Sequence, residues 1–179
     1  MGDVEYIKSK IRTIPDFPKK GVMFRDITTL LKDKEGFKKT IDIFVERYKG
    51  RDFDLVCGIE SRGFVIGSAI AILLGKGFIP IRKKSKLPSK TVSMEYYLEY
   101  GKETIEIHED AINMGQKVLL IDDLIATGGT FEAALKLIEK VGGKVVECAC
   151  VIDLPELKGS QKIKDRGYEV FSILEFQGE

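Results

Sequence analysis

The stretch Val118–Thr130, VLLIDDLIATGGT, constrains this chain more than any other. It opens on an apolar run with no polar alternation, the pattern of a strand covered on both faces. It then passes through two aspartates and a glycine-rich loop directly into a helical pattern over Thr130–Val141, closed by the Gly142–Gly143 pair. A buried strand that feeds a helix belongs to a βα unit, which excludes all-helical and simple hairpin architectures.

The remaining periodicity repeats that unit. Strands are predicted over Asp54–Ile59, Phe78–Arg82, Thr104–His108, Lys117–Asp122, Val145–Ile152 and Glu169–Leu174. Helices are predicted over Asp3–Arg12 with Asp3 as cap, Asp33–Lys49, Phe64–Leu74 closing at Gly75, and from near Pro155. Ile14–Thr28, with two prolines and Gly21, reads as irregular. The expected fold is α/β, a mainly parallel twisted sheet with helices on both faces, and 179 residues suit one domain, 1–179. Ligands of such sheets sit beyond the carboxyl ends of the strands.

Charge narrows the partners. Lys+Arg 29 against Asp+Glu 28 leaves a formal charge of +1, so nothing global points to nucleic acid or a membrane surface. Cys57, Cys148 and Cys150 lie in apolar runs without a second pair to complete a zinc site, and read as buried reduced thiols. The N-terminus lacks an apolar signal region and Ala69–Leu74 is too short to cross a bilayer, so a cytoplasmic location is expected.

Ala126, Gly128 and Gly129 let backbone N–H groups approach an anion, and the helix start adds unpaired donors and the positive end of its dipole. Thr127 and Thr130 supply hydroxyls. Asp122 and Asp123 just upstream would repel a phosphate at their own position but can accept hydrogen bonds from sugar hydroxyls. The loop therefore reads as a ribose-phosphate cradle. Neither G-x-x-x-x-G-K-[ST] nor G-x-G-x-x-G occurs, which sets aside triphosphate and dinucleotide loops. The bland reading is a turn whose acids cap the helix.

Other polar constellations admit two readings each. In Glu60–Gly63, Arg62 at a strand end beside a glycine suits an anion clamp; otherwise Ser61 is a helix cap beside a solvated arginine. Arg82, Lys83, Lys84, Lys86 and Lys90 form either a solvated basic loop or an anion site. Pro88–Gly101, with Tyr96, Tyr97 and Tyr100, is either a lid or an edge hairpin packed on the core. Phe24 reads as core rather than as a stacking platform, and His108 as a solvated strand residue.

VLLIDDLIATGGT resembles the phosphoribosyl-pyrophosphate signature of the type I phosphoribosyltransferases, and PDFPKKGVMFRDIT, GIESRGF, IRKKSKLP and LEYG extend the resemblance to the adenine-using branch from residue 15 to residue 130. The resemblance implies a small hood over about residues 1–30 that reads adenine through the backbone of Met23 and Arg25, with Phe24 beside it, although valine is familiar at the Met23 position. It implies a cis Glu60–Ser61 peptide, and pyrophosphate contacts from Ser61, Arg62, Arg82, Lys83 and Lys86. The counterpart of Arg82 can reach across a dimer interface, so a homodimer is expected. Glu99 and Tyr100 of LEYG fall on the family's mobile catalytic loop, Tyr100 beside the base and Glu99 managing its proton.

The implied reaction transfers ribose 5-phosphate from phosphoribosyl pyrophosphate to adenine, releasing pyrophosphate. Mg²⁺ would arrive with the donor, held by substrate oxygens and water rather than by protein ligands. Asp122 and Asp123 would stabilise positive charge on the sugar, Arg62 and the basic run negative charge on the leaving group, and Ala126, Thr127, Gly128, Gly129 and Thr130 would hold the 5-phosphate. The rivals are a phosphoribosyltransferase for another base and a regulator that only senses phosphoribosyl pyrophosphate.

Overall fold

The structure, a computed structural model, describes residues 1–98 and 101–177. Its centre is a sheet of seven strands. Five of them are parallel: β3 (Leu55–Ile59), β4 (Gly77–Lys83), β7 (Lys117–Ile125), β8 (Lys144–Asp153) and β9 (Val170–Glu175). The antiparallel pair β5 (Thr91–Leu98) and β6 (Gly101–His108) extends one edge through β6 and β4, giving the order β5-β6-β4-β3-β7-β8-β9.

Alternate residues of the strands face two separate cores, as strand geometry requires. Val56, Leu119, Ile121 and Val151 pack under α1 (Asp3–Ser9), α2 (Thr28–Lys32), α3 (Lys34–Tyr48) and α4 (Arg62–Leu74). Cys57, Leu120, Cys148 and Cys150 pack on the other face under α5 (Gly129–Lys140) and α6 (Gly159–Asp165). The three thiols are free and buried, and burial raises the pKa of each, which keeps them inert.

Several boundaries differ from the sequence expectation for identifiable reasons. Gly2, not Asp3, caps α1, with the Glu5 carboxylate accepting from the Gly2 N–H at 3.1 Å. The helix stops at Ser9, because Arg12 already belongs to β1 (Arg12–Pro15). Within the expected irregular segment, β1 pairs antiparallel with β2 (Met23–Asp26), Pro15 lying opposite Met23. Strands of four residues are too short to display a period, and their connection contains a cis Phe17–Pro18 bond. The five-residue α2 escaped notice for the same reason. His108 is half-buried rather than solvated, with Nε2 buried and unpartnered among the described residues, and it stands opposite Thr91 in the edge hairpin.

The strand order reverses between β3 and β7, and their adjacent carboxyl ends open the crevice where such sheets bind ligands. Glycines hold α4 against this point. A Cβ on Gly63 would lie 2.9 Å from the Ile121 carbonyl oxygen and 3.0 Å from Asp122 Oδ1. One on Gly67 would lie 2.9 Å from both Ile121 and Phe78 side-chain atoms. The close approach delivers Arg62, the first residue of α4, to the aspartates of β7. Gly63→Ala should therefore push helix from strand and cost about 1–3 kcal/mol, the usual range for overpacking; urea unfolding with an unchanged midpoint would show that the contact is slack.

Candidate active site

β7 runs three residues beyond its expected end, to Ile125, because Leu124 and Ile125 keep pairing with Ile152 and Asp153 of β8. Asp122 and Asp123 thus sit within a buried strand rather than on a loop, exposed by only 9% and 4%. The Asp123 N–H donates to Asp122 Oδ1 at 2.8 Å, and Arg62 Nε donates to Asp123 Oδ2 in a charged pair. Burial, then the adjacent Asp123 charge, pushes Asp122 well above its ordinary value of 3.8. Burial opposes the charge of Arg62, but Asp123 and Asp122 outweigh it and raise its pKa.

The loop after β7 turns at Gly128, with φ +84°, and α5 starts at Gly129. Behind it, the Gly159 N–H donates to the Ala126 carbonyl at 3.1 Å, and Lys162 Nζ donates to the Thr127 carbonyl at 3.2 Å. A Cβ on Gly159 would stand 2.1 Å from the Ala126 oxygen and 2.6 Å from the Gly128 nitrogen, so α6 can support the loop only through a glycine. In front, a Cβ on Gly129 would lie 3.1 Å from the Tyr97 carbonyl oxygen. The same Cβ would lie 3.7 Å from the Tyr96 ring, and Tyr96 lines the same cavity as Thr130, so the β5–β6 hairpin lies against the mouth of the loop.

These groups converge on a cavity of about 390 Å³. Met23, Phe24 and Arg25 line it from the β1–β2 hairpin, Arg62 and Glu60 from the end of β3, and Asp122 through Phe131 from β7, the loop and α5. Phe24 is half-buried and meets Phe17 edge-on at 5.2 Å, so it forms cavity wall rather than core. Ser61 precedes α4 without a side-chain capping bond, so the capping alternative fails. The Glu60–Ser61 peptide is cis, as expected.

Ser61, Arg82, Lys83 and Lys86 stand outside the cavity lining. Arg82 is turned inward, with Nε at 3.3 Å from Glu60 Oε2 and Nη1 donating to the Lys86 carbonyl at 2.9 Å. The Lys83 N–H donates to the same Glu60 carboxylate at 2.9 Å, while Lys86 is exposed. Glu60 thus connects the cavity to the basic run. Glu99 and Tyr100 lie outside the described residues. The sequence reading missed Tyr96, Leu154, Leu157 and Gly159 as parts of the site. A loop at the carboxyl end of β8, neighbour to β7, was the available signal for the last three.

The model of the phosphoribosyl transferase domain matches residues 26–178. The chain belongs to the phosphoribosyltransferase family. Among curated members, the adenine phosphoribosyltransferase of Chlorobium limicola is 58% identical over 175 residues, 97% of this chain and 99% of that one. Among solved members, the adenine phosphoribosyltransferase of Thermoanaerobacter pseudethanolicus has a TM-score of 0.92 at 47% identity, covering 97% of this chain and 99% of that one. The adenine phosphoribosyl transferase of Trypanosoma brucei, in complex with AMP, pyrophosphate and ribose-5-phosphate, has a TM-score of 0.90 at 26% identity over 98% of this chain and 80% of that one.

In this family member, the raised Asp122 pKa has a measurable sign. A folded-state pKa above the unfolded one contributes stability that is complete below the unfolded value near 3.8 and is lost as pH rises through the folded value. Asp122→Asn, which keeps the shape but not the charge, should melt with the parent in acid and above it at neutral pH. Equal melting temperatures at neutral pH would show that Asp122 carries no such penalty.

Proposed function

We propose that the chain transfers ribose 5-phosphate from phosphoribosyl pyrophosphate to adenine, giving AMP and pyrophosphate. The observation that carries this reading is one cavity that sets a backbone-rich hairpin, Met23–Arg25, opposite an acidic strand end and a glycine cradle. The names of the curated relatives and the ligands of the trypanosomal structure support the same reaction.

The 5-phosphate rests on the N–H groups of Ala126–Thr130 at the start of α5, and Asp122 and Asp123 accept from the ribose hydroxyls. As the bond from the anomeric carbon to pyrophosphate lengthens, positive charge grows on the sugar beside Asp122. The burial and repulsion that disfavour an ionised Asp122 in the free enzyme are then offset by that charge, an interaction stronger in the transition state than before it. The leaving pyrophosphate takes both electrons of the broken bond and is stabilised by Arg62, Ser61 and the Arg82–Lys86 segment. The ring nitrogen of adenine bonds the anomeric carbon and loses its proton, which Glu99 manages, with Tyr100 beside the base.

Asp122 and Asp123 offer oxygens alone, and Asp123 is already paired to Arg62, which suits an ion carried in on the donor with water and substrate as its main ligands. Mg²⁺ arriving with the donor would supply positive charge that stabilises the leaving group.

Val65, Ile72 and Leu73 stand on one face of α4, exposed by 42%, 79% and 60%. That apolar face fits burial against a second copy in a homodimer. The whole chain works as one domain with its hood at residues 1–30. It is placed in the cytoplasm, where its buried thiols stay reduced; among the described residues, no helix is long and apolar enough to cross a membrane.

Offered adenine, hypoxanthine, xanthine and orotate separately with phosphoribosyl pyrophosphate, the enzyme should favour adenine by about 10⁴-fold, because a mismatched base leaves buried polar groups unpaired. Comparable turnover of another base would overturn the adenine assignment.

A further inference from the structure

The β1–β2 hairpin that roofs the cavity is a sheet of its own, hydrogen-bonded to no strand of the main sheet among the described residues. Two-stranded hairpins are marginal in isolation, so contacts outside its ladder must fix its height above the cavity. Its root is held by Ile27 and Leu30, both fully buried. Farther along the hairpin, the attachment is a side chain, that of Arg25.

Arg25 is 9% exposed and touches both the hairpin and the C-terminal segment. Nη1 donates to Thr13 Oγ1 of β1 at 2.6 Å, inside the hairpin. Nη2 donates to the Gln177 carbonyl at 3.2 Å, and the guanidinium carbon lies 4.5 Å from the centre of the Phe176 ring. The segment it grips is itself fixed. The Phe176 N–H donates to the Asp153 carbonyl at 3.1 Å, and Asp153 immediately precedes the cavity residue Leu154. Lys8 Nζ donates to the Glu175 carbonyl at 3.0 Å and stands 4.8 Å from the centre of the Phe176 ring. The chain of contacts therefore runs from the cavity floor at Asp153–Leu154, through Phe176 and Gln177, to Arg25 in the roof.

We infer that Phe176 and Gln177 are positioning residues for the base: by clamping the Arg25 guanidinium they set the hood at the height where the backbone of Met23 and Arg25 meets adenine. The inference rests on the adenine reading of this hood. A planar guanidinium suits the role, since it can stack on a ring and donate in its own plane at the same time. Phe176 and Gln177 bear on Arg25 of the hood, whereas the 5-phosphate cradle is backed by Gly159 and Lys162, so loosening the clamp should act mainly on the base pocket.

Steady-state kinetics of Phe176→Leu should show an adenine KM raised about tenfold, the scale of a partly buried cation–π contact. kcat and the KM for phosphoribosyl pyrophosphate should stay within about twofold, and Phe176→Tyr, which keeps the ring, should restore the adenine KM. Arg25→Lys keeps the charge without the planar fork and supplies a second variant should Phe176→Leu fold poorly. Its rise in adenine KM should not add to that of Phe176→Leu in the double variant, because both break one contact. An unchanged adenine KM in Phe176→Leu, an equal rise in both KM values, or full additivity would overturn the inference while leaving the adenine reading intact. No adenine turnover by the parent enzyme would instead overturn the reading beneath it.

Discussion

The ion pair between Arg62 and Asp123 joins the start of α4 to β7 beside the point where the strand order reverses. It depends on α4 lying close to β7, which in turn depends on Gly63 and Gly67 having no Cβ. With the pair in place, Asp122 can be buried beside a second carboxylate, because one of the two charges has a fixed partner. The pair is itself a compromise. Arg62 stays 40% exposed on its side chain, so its charge is partly screened and Asp122 remains pushed toward protonation by its burial. A site that accumulates positive charge during reaction benefits from that push, because the incoming charge offsets it.

Three loops meet around this centre, and each is shaped by a different physical demand. The β3–α4 turn needs close packing, the β7–α5 loop needs exposed N–H groups, and the β8–α6 connection must approach the β7–α5 loop from behind. Gly159 satisfies the last demand, since any side chain there would occupy the space of the Ala126 carbonyl. The β1–β2 hairpin closes the cavity from above without joining the main sheet, which leaves its position to side-chain contacts such as those of Arg25.

Legibility in the sequence followed the length scale of each feature. The long buried strands and α3 were read within a few residues, because nine or more residues of pattern outweigh local ambiguity. The acidic strand end and its glycine loop were legible because Asp-Asp before Ala-Thr-Gly-Gly-Thr combines two chemistries that a simple turn does not need. The β1–β2 hairpin and α2 were not, since four and five residues carry no period. The sequence of Pro88–Gly101 admits both a lid and a hairpin, because the polar face of β5 alternates with only a thin apolar one, whereas Thr104–His108 of β6 is legible as a strand. Phe24 was misjudged as core because hydrophobicity alone does not separate a cavity wall from an interior. The support given by Gly159 arises only when two distant loops are brought together, and no local pattern announces it.

The assignment of the cradle and the acidic pair is tested most directly by a crystal structure of the chain with AMP. The phosphate should lie on the N–H groups of Ala126–Thr130, with the ribose hydroxyls on Asp122 and Asp123 and the base beneath Met23–Arg25. A phosphate held instead by the Arg82–Lys86 segment, with the Ala126–Thr130 loop empty, would contradict the account.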